Sequence, residues 1–272
     1  PIRTRYPNCD KVIIKNQKMK SLNSIILKYN LTLLPLIFVF LSFLTIYGIK
    51  GSNSRYLADD YCYGYRVNEN GFLNNQITSY FTLTEYSSNR FSSTLFHSIA
   101  EKLGGPYFVP YLPAMGMVVW FLALLYLIIQ IIPQLASKEQ ITLAITSALV
   151  ILFFTLYLAP NLYAVLFWLA AMQSYLTPLI LFTILLGRLL FFNKRTSIKW
   201  HNFIEISLLS FLACGFSETA GLWQVTLLFI GLSLAYLLRK KLNSLPSAEQ
   251  LKKTIISPNG LRAIKIAFTA TL

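Results

Sequence analysis

Charged residues are scarce in this 272-residue chain, making up 12% of it, about half the usual share of a globular protein. Hydrophobic residues account for 55%, and long windows contain no charge at all. A soluble fold needs far more charged surface, so the composition excludes an ordinary soluble domain. Uncharged runs of about 20 residues are instead typical of helices that cross a lipid bilayer.

Cysteine is equally sparse, because Cys9, Cys62 and Cys214 lie far apart in the sequence. No CxxC pair or Cys/His spacing is present, which argues against a zinc site. We expect three free thiols without a structural role.

Acidic residues are the scarcer charged class, and the formal net charge is +14. The basic residues cluster in segments 1–30, 188–199 and 239–253, each beside an apolar run. This distribution fits the positive-inside rule, with basic loops on the cytoplasmic side. Because the basic stretches carry no groove-reading motif, we expect no nucleic-acid partner.

The apolar runs predict an all-α, multi-pass transmembrane helix bundle of about six spans plus the start of a seventh. Four spans are predicted near residues 31–49, 107–132, 141–158 and 172–190, and Pro160 separates the third from the fourth. The segment 202–238 is predicted to make two short crossings hinged at 215–221. A single crossing would put the basic cluster 239–241 on the outer side, against the charge rule.

Both ends of the chain predict that it is a truncated protein. Residue 1 is Pro and the first Met is Met19, so we treat residues 1–18 as not native and segment 1–30 as a basic cytoplasmic N-terminus. Residues 31–272 form the predicted transmembrane domain, and its last residues resemble the beginning of another apolar helix.

The loop 50–106 is the longest polar segment, and its five basic and five acidic residues balance. This neutrality favours the extracytoplasmic side, and its mixed polar and aromatic stretches 71–88 and 91–103 predict short interfacial helices. With the N-terminus inside, the loops 50–106, 159–172 and 215–221 all emerge on the same outer face. Most of the unusual polar residues lie in these three loops.

Asp59 and Asp60 are the most prominent candidates for chemistry, in the stretch YLADDYCYGY. Adjacent carboxylates repel, which raises one pKa and leaves a group able to accept a proton near neutrality. The pair suits a general base or a divalent-cation site, for example for Mg or Mn. The alternative is a solvated turn within an interfacial aromatic belt.

Arg90 and Glu218 are the next candidates. The planar guanidinium of Arg90 suits a phosphate or a carboxylate, and the alternative is a lipid-headgroup contact. Glu218, in CGFSETAG, is a carboxylate between two apolar runs, which predicts a cavity or a partner. An exposed turn is the alternative for Glu218. His97, close to Arg90, is a candidate acid, base or phosphate contact, although a structural role is the commoner one.

The second outer segment, FWLAAMQSYLTP, contains Trp168, Gln173 and Tyr175. Trp168 and Tyr175 suit stacking on a sugar ring or a lipid headgroup, and Gln173 adds hydrogen-bonding capacity. An interfacial aromatic belt would use the same residues.

Together, ADDYCY after the first span, the downstream NRF, FWLAAMQSY and SETAG resemble the GT-C class of membrane glycosyltransferases. The likeness is to uncharacterised bacterial GT-C-like proteins and the O-antigen glucosyltransferase type, over about residues 31–240, the N-terminal half of such a protein. It implies a bacterial inner-membrane enzyme that takes a sugar from a polyprenyl-phosphate donor and transfers it to a glycan or lipid acceptor outside.

The resemblance also implies roles for individual residues. Asp59 or Asp60 would be the general base, and the other would bind a metal or orient the substrate. Arg90 would neutralise the donor phosphate, and Glu218 would position the substrate. Two other functions stay open at this point: a transporter or flippase of lipid-linked intermediates, and a non-catalytic membrane scaffold.

Overall fold

Helices are the only regular elements in the part of the chain that the computed structural model describes, which is residues 33–81, 90–132, 138–195, 199–243 and 257–272. The predicted all-α fold class is therefore confirmed. The basic N-terminus 1–30 and Asn89 of the NRF motif lie outside the described residues. The helices are α1 (Leu33–Gly51), α2 (Asp59–Asn70), α3 (Phe72–Phe81), α4 (Phe91–Leu103), α5 (Leu112–Ile131), α6 (Lys138–Tyr157), α7 (Leu169–Asn193), α8 (Trp200–Cys214), α9 (Glu218–Asn243) and α10 (Pro258–Thr271).

Five of the described helices, α1, α5, α6, α7 and α9, are long and apolar enough to cross a bilayer. The chain is thus a helical membrane protein. The predicted break in segment 202–238 occurs between α8 and α9, at residues 215–217. However, α8 has only 15 residues. That corresponds to about 22 Å, which is shorter than the hydrocarbon core of roughly 30 Å.

Helix α7 is the centre of the bundle. Its N-terminal half packs in a core with α1, α5 and α6 that includes Trp120, Leu152 and Leu176. Its C-terminal half packs in a second core with α8, α9 and α10 that includes Phe182 and Ile206. Because α7 contributes to both cores, it fixes the two halves of the bundle relative to each other.

Proline determines where several helices begin or end. The chain leaves α6 just before Pro160, as predicted, and passes through one π-helical turn, Tyr163–Phe167, before α7 begins. Pro113 lies in the first turn of α5, where its missing N–H is tolerated. Pro178 lies inside α7, so the carbonyl of Ser174, four residues earlier, loses its helical donor.

Three short helices, α2, α3 and α4, form a cap over one end of the bundle, which we call the cap end. They pack against one another, and α2 and α4 also contact α7. The opposite end holds the start of α10, where Asn259 Nδ2 donates to the carbonyl of Arg195 (2.8 Å) at the end of α7. We call it the basic end, because Lys194, Arg195 and Lys199 are exposed there.

A buried polar network joins α8, α9 and α10. The two N–H groups of Gln224 Nε2 are shared among three acceptors, the carbonyl of Ser210 (3.0 Å), Ser210 Oγ (3.0 Å) and Thr271 Oγ1 (2.9 Å). Gln224 is only 1% exposed. Hydrogen bonds of this kind join membrane helices that have no hydrophobic driving force to associate in lipid.

We predict that Gln224→Leu lowers the free energy of unfolding by roughly 1 kcal/mol, because the interhelical hydrogen bonds of its two N–H groups are lost at about 0.6 kcal/mol each. The measurement is unfolding in mixed micelles by a denaturing detergent. Thr226→Val is the matched control, since Thr226 is exposed and its hydroxyl bonds within its own helix, to the carbonyl of Leu222. Equal destabilisation by the two variants would contradict the prediction.

Candidate functional site

Asp60 is the most completely buried acidic residue of the cap, with 1% of its surface exposed. Its Oδ1 accepts a hydrogen bond from the amide of Ala170 (2.9 Å), and its Oδ2 accepts one from the amide of Leu57 (3.0 Å). Ala170 lies in the first turn of α7, where backbone N–H groups lack helical partners and attract anions. One carboxylate therefore ties α2 to the central helix of the bundle.

The environment of Asp60 has opposing effects on its proton affinity. Burial raises the pKa of Asp60 to about 6, and the nearby charge of Asp59 contributes in the same direction. The hydrogen bonds from Leu57 and Ala170 oppose this rise because they stabilise the charged form. The sequence-based expectation that one member of the pair has a raised pKa thus falls on Asp60, and burial is the main cause.

Asp59 differs from its neighbour because its side chain is exposed. It occupies the first position of α2, after Ala58, which has a φ of 42°. A non-glycine residue at this φ is strained, and such strain persists only where the surrounding structure holds it. The holding contacts are the two hydrogen bonds between Leu57 and Asp60, one of them from the amide of Asp60 to the carbonyl of Leu57 (2.9 Å).

Tyr63 connects the carboxylate pair to α4. It follows Asp59 by four residues and Asp60 by three, and its ring stacks on His97 with a centroid separation of 4.1 Å. Burial raises the pKa of Tyr63, and the positive charge of Arg90 partly offsets this. Tyr63 was not among the sequence-predicted site residues, because the helix that relates it to the aspartates was not predicted.

His97 is buried and neutral. Burial lowers its pKa to about 3, and among the described residues its Nε2 has no hydrogen-bond partner. A neutral imidazole can donate one hydrogen bond and accept another, but it brings no charge for a phosphate.

Arg90 and Glu218 meet directly. Arg90 Nη2 lies 3.0 Å from Glu218 Oε2, across 128 residues of sequence. The pair is partly exposed, with 35% and 63% of the two side chains accessible, so its net contribution to stability is small. Its consequence is positional, because it connects the start of α4 to the start of α9.

The turn between α8 and α9 is fitted closely to the cap. The amide of Ser92 donates to the carbonyl of Gly215 (3.0 Å), and a Cβ at position 215 would lie 2.3 Å from the ring of Phe91. Ser217 Oγ donates to the carbonyl of Ser174 (3.5 Å), the group that Pro178 leaves without a helical donor. The proline in α7 therefore creates an acceptor for the turn that carries Glu218.

The three candidate residues of the second outer segment lie in different environments. Gln173 is 4% exposed, and it follows Ala170 by three residues, which puts it on the same side of α7. Trp168 precedes α7 and is half-buried. Tyr175 lies two residues beyond Gln173, on another side of the helix, and lines a cleft of about 680 Å³ with Trp120 and Pro160. Tyr175 is therefore directed away from Asp60.

Buried polar atoms without a hydrogen-bond partner in the described structure are concentrated at the cap end. Six of the ten such atoms in the described residues lie there: Ser54 Oγ, Arg90 Nε, Ser92 Oγ, His97 Nε2, Trp168 Nε1 and Gln173 Oε1. Because such groups cost free energy when buried, they are usually paired with ordered water or a ligand.

Glu101 is a cap residue that the sequence reasoning did not single out. Its carboxylate accepts hydrogen bonds from the hydroxyl of Tyr56 and from Asn68 Nδ2 (2.8 Å). Burial, followed by the bond to Glu101, raises the pKa of Tyr56 and keeps it protonated. A carboxylate in the last turn of a helix is unfavourable with the helix dipole, and that was the signal available in the sequence.

Within the described structure, Asp59 and Asp60 do not form a complete ligand set for the predicted divalent cation. Among the residues with described positions, no group of three or more His, Cys, Asp and Glu side chains is arranged to hold a metal ion. Both oxygens of Asp60 already accept backbone hydrogen bonds. The pair therefore offers one accessible carboxylate, Asp59, to a cation or a substrate.

Comparison of the chain with models of protein families, with curated proteins and with solved structures finds no match.

We predict that Asp60 makes the protein less stable as pH rises from about 4 to 6. The folded state binds this proton more tightly than the unfolded chain, since the pKa rises from 3.8 to about 6. The corresponding loss in the free energy of unfolding is roughly 2–3 kcal/mol, complete above the folded-state pKa.

The measurement is the melting temperature in detergent of wild type and Asp60→Asn between pH 4 and 7. The wild type should lose stability relative to the variant as pH rises, and Asp59→Asn should retain most of the wild-type dependence. Parallel profiles for wild type and Asp60→Asn would contradict the prediction.

Proposed function

We propose that the chain is a membrane glycosyltransferase of the GT-C type, which transfers a sugar from a polyprenyl-phosphate donor to a glycan or lipid acceptor. The observation that carries the proposal is the divided aspartate pair. Asp60 is buried and hydrogen-bonded to the start of α7, whereas Asp59 is exposed beside it. Asp59 is thus an accessible carboxylate at the start of a helix that Asp60 fixes in place, and a carboxylate positioned in this way can serve as a general base.

The charge distribution supports a location for this chemistry. Lys194, Arg195 and Lys199 lie at the basic end, and the positive-inside rule assigns that end to the cytoplasm. The cap end would then face the extracytoplasmic side of a bacterial inner membrane, with the N-terminus of α1 on the cytoplasmic side.

In the proposed reaction, Asp59 accepts the proton of an acceptor hydroxyl as the oxygen attacks the anomeric carbon of the donor. The bond from that carbon to the phosphate oxygen breaks, and the polyprenyl phosphate leaves with the electron pair. Asp60 is a positioning residue in this scheme, because its own oxygens are occupied by Leu57 and Ala170.

Arg90 is the candidate partner of the leaving phosphate. Glu218 engages its Nη2, its buried Nε has no partner among the described residues, and 35% of the side chain is accessible. A guanidinium has five N–H donors, so it can bind a second anion beside a carboxylate. Glu218 fixes the direction of the guanidinium in this arrangement. Gln173, Trp168 and His97, with their unpartnered polar atoms, are candidate contacts for sugar hydroxyls.

An apolar cleft supports a lipid-linked donor. It has a volume of about 680 Å³, lies between α5, α6 and α7, and is lined by Trp120, Phe154, Tyr175 and Leu179. Its volume is in the range of ligand sites, and its walls suit part of an isoprenoid chain.

The polar network inside the bundle favours a transferase over a transporter or flippase. Transport sites typically contain ionisable residues near the bilayer midplane. The buried network of Ser210, Gln224 and Thr271 is uncharged, and its hydrogen bonds join helices to one another.

The test is sugar transfer from a polyprenyl-phosphate donor by full-length protein reconstituted in lipid. We predict that Asp59→Asn lowers kcat at least about 100-fold, as expected for loss of a general base. Glu69→Gln is the matched control, because Glu69 is an exposed carboxylate on the same helix. Asp59→Asn with the same kcat as Glu69→Gln would overturn the assignment of the base. Absence of transfer by the wild type with such donors would favour a scaffold.

A further inference from the structure

A second polar cleft lies at the cap end, beside the end of α1. It has a volume of about 450 Å³ and is lined by Lys50, Asn53, Ser54, Leu162, Tyr163 and Phe167. One wall is the turn that follows α1, and the other is the π-helical turn before α7. None of these residues belongs to the proposed transferase chemistry.

The wall formed by residues 50–54 is rigid. Successive amides donate back three residues, from Asn53 to the carbonyl of Lys50 (3.1 Å) and from Ser54 to the carbonyl of Gly51 (2.8 Å). Arg55 Nη1 donates to the carbonyls of Ser52 (2.9 Å) and Ser54 (2.7 Å). A Cβ at Gly51 would lie 2.7 Å from Pro113, so this turn is also pressed against the start of α5. The wall is therefore preorganised for binding.

The chemistry of the cleft suits an anion. Lys50 is the first charged residue after the uncharged run 31–49, and the guanidinium of Arg55 is held against the same turn. Ser54 is 6% exposed, and within the described structure its hydroxyl has no hydrogen-bond partner. A buried hydroxyl donor in a cleft that a lysine also lines can be satisfied by a phosphate oxygen.

The position of the cleft along the bilayer normal favours a lipid headgroup as the source of that phosphate. Helix α1 is a candidate membrane span, and Lys50 lies in its last turn, where a crossing helix reaches the headgroups. Tyr163 is half exposed and pairs with Phe167 at a ring separation of 6.3 Å, as aromatic residues do at a membrane interface.

We propose that this cleft is a binding site for the phosphate headgroup of an anionic bilayer phospholipid, held by Lys50 and the hydroxyl of Ser54. The lipid phosphate would pair with the Lys50 ammonium and accept from Ser54 Oγ, and its chains would run along the apolar surface of α1. This site does not depend on the transferase proposal, because lipid binding is measured without sugar transfer.

The experiment is native mass spectrometry of the full-length protein in detergent, titrated with phosphatidylglycerol or with phosphatidylcholine of the same chains. We expect the wild type to prefer phosphatidylglycerol, and Lys50→Gln to weaken its binding about tenfold, as for loss of one charge-assisted contact. Lys50→Arg should retain the preference, which separates loss of charge from misfolding. Ser54→Ala should give a smaller loss.

Lys265→Gln is the matched control. Lys265 lines a cleft between α9 and α10, away from the cap, and its substitution should leave phosphatidylglycerol binding unchanged. Equal binding of the two lipids by the wild type would overturn the proposal. So would an equal effect of Lys50→Gln and Lys265→Gln, or displacement of the lipid by millimolar inorganic phosphate.

Discussion

The hydrogen bond from the amide of Ala170 to the carboxylate of Asp60 is the contact on which the cap end depends. It spans 110 residues of sequence and joins the first turn of α2 to the first turn of α7. Because α7 belongs to both hydrophobic cores, a residue attached to its start is fixed relative to the whole bundle. The carboxylate also accepts the amide of Leu57, which holds the strained backbone of Ala58. Burial of the carboxylate raises the pKa of Asp60, and the two amide hydrogen bonds offset this rise only in part.

Further contacts extend from this anchor across the cap. Tyr63, one turn beyond Asp60, stacks on His97 of α4, and Arg90 at the start of α4 pairs with Glu218 of α9. The turn between α8 and α9 is attached to α4 through the amide of Ser92 and to α7 through the hydroxyl of Ser217. The cap, α7 and the turn between α8 and α9 therefore form one connected unit. Its accessible charged groups lie at the same end of the bundle as the apolar cleft between α5, α6 and α7. Such a unit would suit a membrane enzyme whose lipid-linked substrate enters from the bilayer and reacts at the aqueous surface.

Much of the membrane architecture could be predicted from local sequence. Hydropathy gave the main spans to within a few residues, Pro160 gave the break after α6, and α4 was predicted with its observed bounds. Helix α2 was not predicted, because DDYCYGYRVNEN is poor in helix formers and its helix packs on α4 and α7. The difference between Asp59 and Asp60 was also inaccessible, since it depends on Ala170, more than 100 residues away. The pairing of Arg90 with Glu218 is non-local in the same way, although both residues had been predicted to face the same side.

The most direct test is a titration of the Asp60 carboxyl itself. Infrared difference spectra between wild type and Asp60→Asn, recorded in lipid from pH 3 to 8, isolate the protonated and ionised bands of this one group. A carboxyl buried between the starts of two helices should titrate with a midpoint near the pKa of about 6. A midpoint at or below the ordinary aspartate pKa of about 3.9 would mean that the group is solvated. The anchor described for the cap would then be contradicted.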